Sequence, residues 1–415
     1  MDQGVFHGDI AWMLASSALV FIMTPGLAFF YGGLVKRKNI VNTIMSSALL
    51  MGLGSILWVA FGFSLSFSGD TAGIIGDFKW AFLNFDSLTD TTLAYPNTLT
   101  FAIFQMMFAI ITPALITGAI AERMKFSSLV IFTTIWSIIV YYPLAHMVWG
   151  GGFLADIGAV DFAGGTVVHI SSGISALVLS KLLGKRKNYG LATYHPHNVP
   201  FVFLGSALLW FGWFGFNAGS ACSANELASH AFMTTNTAAA CAALSWMFIE
   251  KISSGKPTLV GASTGMVIGL VAITPAAGFV PIWASIIIGS LVSPICYFFI
   301  TVVKRKFRYD DALDVFGCHG IGGIWGAIAT GLFAQTSINS VAQTNGLLFG
   351  DTSLFLAQLA AVGITVVIAV VGTLLATGAA SLITKGIKVP QKSEELGLDI
   401  AEHGESAYPA FNGMD

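Results

Sequence analysis

The spacing of the charged residues constrains this chain more than any other feature of its sequence. Asp, Glu, Lys and Arg occur in short clusters, and ten stretches without any of them lie between the clusters. Each stretch reaches or approaches the roughly 20 residues that cross a bilayer as a helix. Only 10% of the residues are charged and 55% are hydrophobic, whereas an ordinary soluble domain has roughly 25% charged residues. The sequence therefore predicts an all-α integral membrane protein and excludes a soluble globular one. The stretches are 10–35, 39–69, 91–121, 126–155, 162–180, 188–225, 227–249, 257–303, 315–350 and 352–384.

We expect eleven transmembrane helices from these ten stretches. The stretch 257–303 is long enough for two helices, and residues 274–281 include Pro275, Gly278 and Pro281, which are typical of a turn. The other long stretches end in polar segments, 194–198 and 335–345, that favour loops. An odd number of helices predicts that the two termini lie on opposite sides of the membrane.

The basic residues indicate the orientation. When eleven helices are threaded from an outside N-terminus, every Lys and Arg except Lys79 falls on one side. Because positive charge accumulates on the cytoplasmic side, we expect the N-terminus outside and the C-terminus inside the plasma membrane. The predicted organisation is a transmembrane domain at 1–388 and a cytoplasmic tail at 389–415. The first helix begins near Asp9 without a preceding basic segment, so we interpret it as a mature span and not a signal peptide.

A short pattern occurs twice. Asp161, His169 and Gly173 have the same spacing as Asp311, His319 and Gly323, 150 residues further on. The two copies lie in predicted helices 5 and 10, which suggests two five-helix units, helices 1–5 and 6–10, followed by a long eleventh helix. Units of five helices must cross the membrane in opposite directions, and inverted repeats place a substrate path at their interface.

His169 and His319 are the first candidates for a function, because an ionisable side chain inside an apolar helix is costly. They could line a narrow path as neutral donor and acceptor, or they could only hydrogen-bond neighbouring helices. No third histidine or HExxH motif accompanies them, and the four cysteines form no CxxC pair. We therefore expect no metal site and no cofactor. The net charge of −2 gives no basic surface for nucleic acid.

Asp161 has two readings. A carboxylate at the start of helix 5 can cap the helix, or its charge can support a bound cation. If it only caps, asparagine should replace it with little effect. Asp310, Asp311 and Asp314 precede helix 10 beside a basic segment, and dipole complementarity with surface pairing is the simpler interpretation for them.

Aromatic residues form the third group of candidates. In the predicted topology Trp149, Phe108 and Phe216 can meet near the outer end of the path, where aromatic faces attract a desolvated cation. The hydroxyl of Ser220 could accept a hydrogen bond from such a cation, which suits ammonium better than a bare metal ion. For Trp210 and Phe214 we expect the ordinary interface position of membrane aromatics.

Four segments resemble the ammonium transporter (Amt/MEP/Rh) family, in particular its bacterial and archaeal Amt branch. They are DFAGG at 161–165 with VVH at 167–169, WFGFNAGS at 213–220, DDALD at 310–314 leading to His319, and ELGLD at 395–399. The resemblance covers essentially the whole chain. It implies an eleven-helix protomer in a homotrimer, with one pore in each protomer and net uptake of ammonium.

The resemblance also implies roles for individual residues. Trp149, Phe108 and Ser220 would recruit the ammonium ion, with methylammonium as its analogue, and Asp161 would support recruitment and deprotonation. Phe108 and Phe216 would close the outer pore, and His169 and His319 would be the twin histidines. Tyr31, Leu115 and Trp213 would line the pore or its vestibule. The cytoplasmic loops and tail would bind a trimeric signal protein of the P-II type.

Alternative functions follow from the same features. An ammonium sensor would use the pore to report occupancy through the tail, although no output domain follows the last helix in this sequence. An integral-membrane enzyme is disfavoured because no nucleophile or metal constellation is present, and a water or potassium channel lacks the NPA and TVGYG signatures. The polar tail after Lys392 should either dock on the inward loops or be disordered.

Overall fold

A computed structural model of the protein describes residues 3–87, 97–187, 189–190 and 194–408, with side chains from residue 7 onward. Within these residues the secondary structure is helical apart from two isolated β-bridges. Ten of the described helices are long and apolar enough to cross a membrane, and an eleventh apolar helix is shorter. In chain order they are α1 His7–Leu34, α2 Arg37–Phe67, α3 Thr98–Ile120, α4 Phe126–Asp156, α5 Gly165–Leu183, α6 Val199–Ala221, α7 Glu226–Ser254, α8 Leu259–Ile273, α9 Ile282–Phe307, α10 Phe316–Phe333 and α11 Ser353–Thr384.

The shorter helix α8 occupies the first half of the stretch that the sequence divides in two. Its 15 residues span about 22 Å, less than the roughly 30 Å of a hydrocarbon core. The predicted turn is present, because α8 ends at Ile273 and α9 begins at Ile282. Among the described residues, ten helices are therefore long enough to cross a membrane, one fewer than the eleven that the sequence predicts.

Several helices begin at polar capping residues. The side chains of Asn97, Asn198, Asn225 and Thr258 each accept a hydrogen bond from the backbone N–H three residues later. Such a cap satisfies a backbone donor that has no partner inside the helix. These residues therefore fix the starts of α3, α6, α7 and α8 in otherwise apolar sequence.

Three helices form the interior of the bundle. In the most apolar stretch of each helix, 83% of the residues of α3, 78% of α5 and 72% of α10 are buried, compared with 28% in α9 and 33% in α11. All candidate residues of α3, α5 and α10 consequently lie inside the protein, and α9 and α11 present most of their apolar surface outward.

The tail packs on one end of the bundle, which we call the tail side. A short helix, α12 Gln391–Leu396, is followed by Leu398 and Asp399, which are 0% and 2% exposed. The N–H of Leu398 donates to Asn39 Oδ1 at 2.8 Å, and the N–H of Asn42 donates to Asp399 Oδ1 at 2.9 Å. Burial raises the pKa of Asp399 despite the N–H group of Asn42. Of the two alternatives for the tail, docking therefore holds up to residue 408, and 409–415 lie outside the described residues.

The loops between helices meet the tail at the same end. The N–H of Phe126 donates to Glu402 Oε2 at 2.9 Å, the N–H of Lys187 donates to Glu394 Oε1 at 2.6 Å, and Lys38 Nζ donates to the carbonyl of Glu395. The α1–α2, α3–α4 and α5–α6 connections therefore lie on one side, as the distribution of basic residues predicts. Trp149, near the C-terminal end of α4, lies at the opposite end of that helix from Phe126.

Asp310 differs from the expected surface pairing. It is 1% exposed, and its carboxylate forms a bidentate ion pair with Arg186, whose Nη2 lies 2.8 Å from Asp310 Oδ1. Arg186 Nη1 also donates to Glu122 Oε2 at 3.1 Å. Burial alone would raise the pKa of Glu122, but the charges of Arg186 and Lys36 and the N–H of Lys36 hold it below its usual range. This buried network joins three connections on the tail side.

Candidate functional site

Two phenylalanine rings close a passage through the interior. Phe108 of α3 and Phe216 of α6 have ring centroids 4.4 Å apart, and both residues are 1% exposed. The ring of Trp149 meets Phe108 edge to face at 6.0 Å, and Phe104 meets it at 5.0 Å. Trp149 is half-buried, so it lies at a mouth that Phe108 and Phe216 seal. The structure thus brings together the three aromatic residues that the sequence only allows to meet.

Ser220 lies one turn after Phe216, at the same mouth. Its hydroxyl donates to the carbonyl of Phe216 at 2.8 Å, and the residue is half-buried. A hydroxyl that donates one hydrogen bond keeps lone pairs that can accept another. Ser220 therefore can accept a hydrogen bond from a cation at the mouth.

Asp161 contacts the mouth through its main chain. Trp149 Nε1 donates to the Asp161 carbonyl at 2.8 Å. The carboxylate instead binds the start of α5: Oδ1 accepts from the N–H groups of Gly164 and Gly165 at 2.8 and 2.7 Å. Oδ2 accepts from the N–H of Thr166 at 2.7 Å and from the Thr166 hydroxyl. Asp161 therefore caps α5 with both oxygens and also orients Trp149.

The two histidines face each other directly below the phenylalanines. His169 Nδ1 and His319 Nδ1 are 3.3 Å apart, and the rings are stacked with centroids separated by 5.3 Å. The ring of Trp213 also stacks on His169, with 5.4 Å between the centroids, and Trp213 Nε1 donates to Thr274 Oγ1 at 2.9 Å. His169 is 1% exposed and His319 is 3% exposed. His169 is therefore held by ring contacts to both Trp213 and His319.

The contact between the two rings has a chemical consequence. Two ring nitrogens this close share one proton, so one ring donates through Nδ1 and the other accepts. In a neutral pair, one Nε2 then carries a hydrogen and the other is an acceptor. His169 Nε2 has no hydrogen-bond partner among the described residues. The pair can thus offer a polar atom to a small molecule inside an apolar wall.

The repeated sequence pattern corresponds to matching local structure. Both histidines lie in wide π-helical turns, Gly165–Ile170 and Phe316–Ile321, which are frequent at functional sites. Asp311 Oδ2 accepts from the N–H of Phe316 at 2.7 Å, as Asp161 Oδ2 does from the residue five positions later. The starts of α5 and α10 therefore have the same hydrogen bond between an aspartate carboxylate and the N–H five residues later.

The glycines of the pattern bring the two helices together. A Cβ at Gly173 would lie 2.9 Å from the carbonyl carbon of His319 and 2.1 Å from Gly320 N. A Cβ at Gly323 would lie 3.0 Å from His169 Cβ. Each glycine thus makes room for the histidine of the other helix.

A cavity of about 10 Å³ lies beside the histidines, close to the minimum that holds one water-sized molecule. Leu115, Trp213 and Phe216 line it with both imidazoles, whereas Tyr31 does not line it and donates its hydroxyl to the Leu115 carbonyl at 3.0 Å. The sequence did not predict the other lining residues, because apolar residues at helical spacing look the same whether they line a cavity or fill the core. They are Met23, Leu27, Ile111, Val168, Leu209 and Val267.

A larger cavity of about 270 Å³ opens on the tail side. Phe30, Leu34 and Cys318 line it together with Glu122 and Arg186 of the buried network. Cys318 is the neighbour on α10 of His319, which lines the smaller cavity. The aromatic mouth, the small cavity at the histidines and this polar cavity are therefore neighbours inside the bundle.

This arrangement defines a class: a helical membrane protein with a small, largely apolar cavity at a buried histidine pair. A model described as the Ammonium Transporter Family matches residues 11–408. An "Ammonium transporter" of Bacillus subtilis (strain 168) is 50% identical over 404 residues, which cover 97% of this chain and 98% of the relative.

Solved structures show the same similarity. Mep2 of Saccharomyces cerevisiae has a TM-score of 0.85 at 35% identity, over 92% of this chain and 90% of that one. A structure titled "Sensor Amt Protein" has a TM-score of 0.88 at 27% identity, over 97% of this chain and 100% of that one. The chain belongs to the ammonium transporter family.

Proposed function

We propose that the protein recruits the ammonium ion at Trp149, Phe108 and Ser220, removes one proton, and conducts neutral ammonia past Phe216 and the twin histidines to the tail side. One observation carries this proposal: the passage is sealed and apolar below the mouth, with His169 and His319 as its polar groups. Moving a cation from water into such a passage without a paired charge would cost several kcal/mol of desolvation free energy. Moving neutral ammonia costs far less.

The mouth favours a cation that can donate hydrogen bonds. The ring centroids of Trp149 and Phe108 are 6.0 Å apart. A cation against the face of such a ring gains about 0.5 to 2 kcal/mol of binding free energy. The Ser220 oxygen adds an acceptor, and the carboxylate of Asp161 adds a negative charge behind the indole. The proton released from ammonium then returns outward or travels separately through the histidines.

Further properties belong to the same proposal. The tail side is cytoplasmic, the N-terminus is outside, and the plasma membrane holds eleven spans that include α8. The matching contacts of Gly173 and Gly323 support two inverted five-helix units. The family resemblance adds a homotrimer and a P-II type partner for the cytoplasmic face, where residues 389–408 and the loops present a continuous surface.

Uptake of labelled methylammonium by vesicles that contain the purified protein tests the proposal. We expect saturable uptake that is lowered by ammonium and by the Trp149→Leu substitution. Phe214→Leu is the control, because Phe214 stacks on Phe232, with 3.9 Å between the ring centroids, and not on the passage residues. No uptake above empty vesicles would refute transport, and equal uptake by the Trp149 variant would refute the recruitment site.

An ammonium sensor is the second candidate. The similarity to the "Sensor Amt Protein" structure and the docking of the tail against Asn39 and Asn42 favour it. A sensor would bind ammonium and change the protease sensitivity of the tail without vesicle uptake. Uptake together with an unchanged tail would favour the transporter.

A further inference from the structure

His146 lies one turn before Trp149 on α4 and has a polar partner on each ring nitrogen. Its Nδ1 lies 3.1 Å from the carbonyl of Ser66, and its Nε2 lies 2.9 Å from Asp70 Oδ1. The imidazole is fully buried, whereas the Asp70 side chain is 53% exposed. The pair therefore connects the interior next to the mouth with the solvent on the side opposite the tail.

The hydrogen bonds of His146 require one extra proton. Both partners are acceptors, since a carbonyl and an ionised carboxylate have no hydrogen to donate, and a neutral imidazole has only one N–H. Both contacts can form only when the pair keeps a proton beyond the neutral ring. The hydrogen bond from His146 also lowers the pKa of Asp70, so the carboxylate acts as an acceptor in this pair.

The same end of α4 is seated tightly on the outer loop. The N–H of Phe153 donates to the Gly73 carbonyl at 2.8 Å, and the N–H of Gly73 donates to Asp70 Oδ1 at 2.9 Å. A Cβ at Gly150 would lie 2.3 Å from the Ser66 carbonyl oxygen. A movement of His146 away from Ser66 or Asp70 therefore shifts the helix turn that carries Trp149.

We propose that His146 and Asp70 are positioning residues for the cation site at the mouth, and that their shared proton holds Trp149 in its recruiting position. When the proton leaves, a bare ring nitrogen faces either the Ser66 carbonyl or the Asp70 carboxylate, and the α4 end loosens. This inference rests on the proposed recruitment role of Trp149.

Other charged groups lie in the chain segments next to the pair of His146 and Asp70. The outer loop carries Asp77 and Lys79, and Asp156 and Asp161 follow the α4 turn. Asp77 bonds the N–H of Lys79, and Asp161 bonds the start of α5. Among the hydrogen bonds of the described residues, Asp70 is the one charged partner of His146.

The first experiment measures methylammonium uptake by vesicles at external pH values from about 5 to about 9, the range in which a histidine pair exchanges its proton. The pair is protonated at low pH and loses its proton as the pH rises. We therefore expect the KM of the parent, expressed as methylammonium cation, to rise about three- to tenfold toward alkaline pH with an unchanged maximal rate, as for the loss of one hydrogen bond of ordinary strength.

Two substitutions isolate the shared proton. In Asp70→Asn, the amide can donate to Nε2, so a neutral imidazole satisfies both partners and the KM should stay low and independent of pH. In His146→Gln, both N–H donors are on one amide nitrogen, which cannot reach both partners, and the KM should be high at all pH values. His230→Gln is the control, because His230 bonds the Val280 carbonyl through Nε2 and should retain the parental profile. The same alkaline rise of KM in Asp70→Asn and the parent would overturn the inference, and so would a flat parental profile.

A double substitution separates this inference from the proposed function. If His146 acts through Trp149, His146→Gln should not raise KM further in a Trp149→Leu background, because the two changes remove the same interaction. Additive effects would show that His146 acts elsewhere. Parental KM values in Trp149→Leu would instead refute the recruitment site itself.

Discussion

Replacement of Asp161 with asparagine separates its capping role from its charge, but the structure changes what the substitution is expected to do. The sequence suggests that asparagine preserves the cap. In the structure Oδ1 accepts two N–H groups, and Oδ2 accepts the N–H and the hydroxyl of Thr166. The amide nitrogen of asparagine would therefore face at least one donor.

Two free-energy terms follow. A buried donor left without an acceptor costs about 1 to 3 kcal/mol of unfolding free energy. A unit negative charge about 6 Å from the cation, at an effective dielectric constant near 20, contributes about 2.8 kcal/mol, or roughly a hundredfold in occupancy. The first term lowers stability, and the second lowers transport.

We expect Asp161→Asn to remain assembled, to unfold at a lower temperature in detergent, and to transport methylammonium at least about tenfold more slowly. Thr166→Val is the matched control, since it removes the hydroxyl donor to Oδ2 and keeps the carboxylate. It should lose about 1 kcal/mol of stability with nearly parental uptake. A destabilised Asp161→Asn variant with parental uptake would leave Asp161 with the cap alone and refute the electrostatic reasoning.

Three further predictions concern the passage, the tail and the buried ion network. His169→Ala or His319→Ala should abolish methylammonium uptake or replace it with potassium flux while the oligomer stays folded, and parental uptake in both variants would exclude a role in the passage. Truncation after Lys392 removes the contacts of Asp399 and should reduce uptake without dissociating the proposed trimer on size-exclusion chromatography; full activity would show that docking of the tail is dispensable. Glu122→Gln should lower the melting temperature at neutral pH. Because the pKa of Glu122 is lowered, its charge stabilises the fold fully above about pH 4.5, its ordinary value, and this contribution is lost as the pH falls through the lowered pKa. The melting temperatures of parent and variant should converge there, and a constant difference would contradict the ionic origin.

The sequence predicts the helical membrane class because charge spacing reports directly on the cost of burying charge in lipid. The repeated spacing also places His169 and His319 at matching positions of α5 and α10, but the close approach of the two helices at Gly173 and Gly323 is known only from the structure. The meeting of Trp149, Phe108 and Phe216 followed only from the topology together with the family resemblance. Their side chains come from three helices, and no local pattern encodes that distance.

The buried network of Glu122, Arg186 and Asp310 could not be predicted. Each residue lies in a different connection between helices, and a charge at a helix end is ordinarily solvated or paired at the surface. The same limit applies to the second oxygen of Asp161. Sequence indicates that a carboxylate can cap a helix, but the number of donors depends on the wide first turn of α5.

The glycine contacts between α5 and α10 have a consequence for the motions of the histidines. Main-chain atoms of each helix rest on the other at Gly173 and Gly323, and the ring of Trp213 limits rotation of His169. Rotamer changes in exposed side chains take picoseconds to nanoseconds, whereas separation of these two rings requires displacement of two packed backbones. Under the proposed mechanism, successive ammonia molecules would therefore meet an unchanged pair of nitrogens, and the slow step of each turnover would lie in the aromatic rings above the pair.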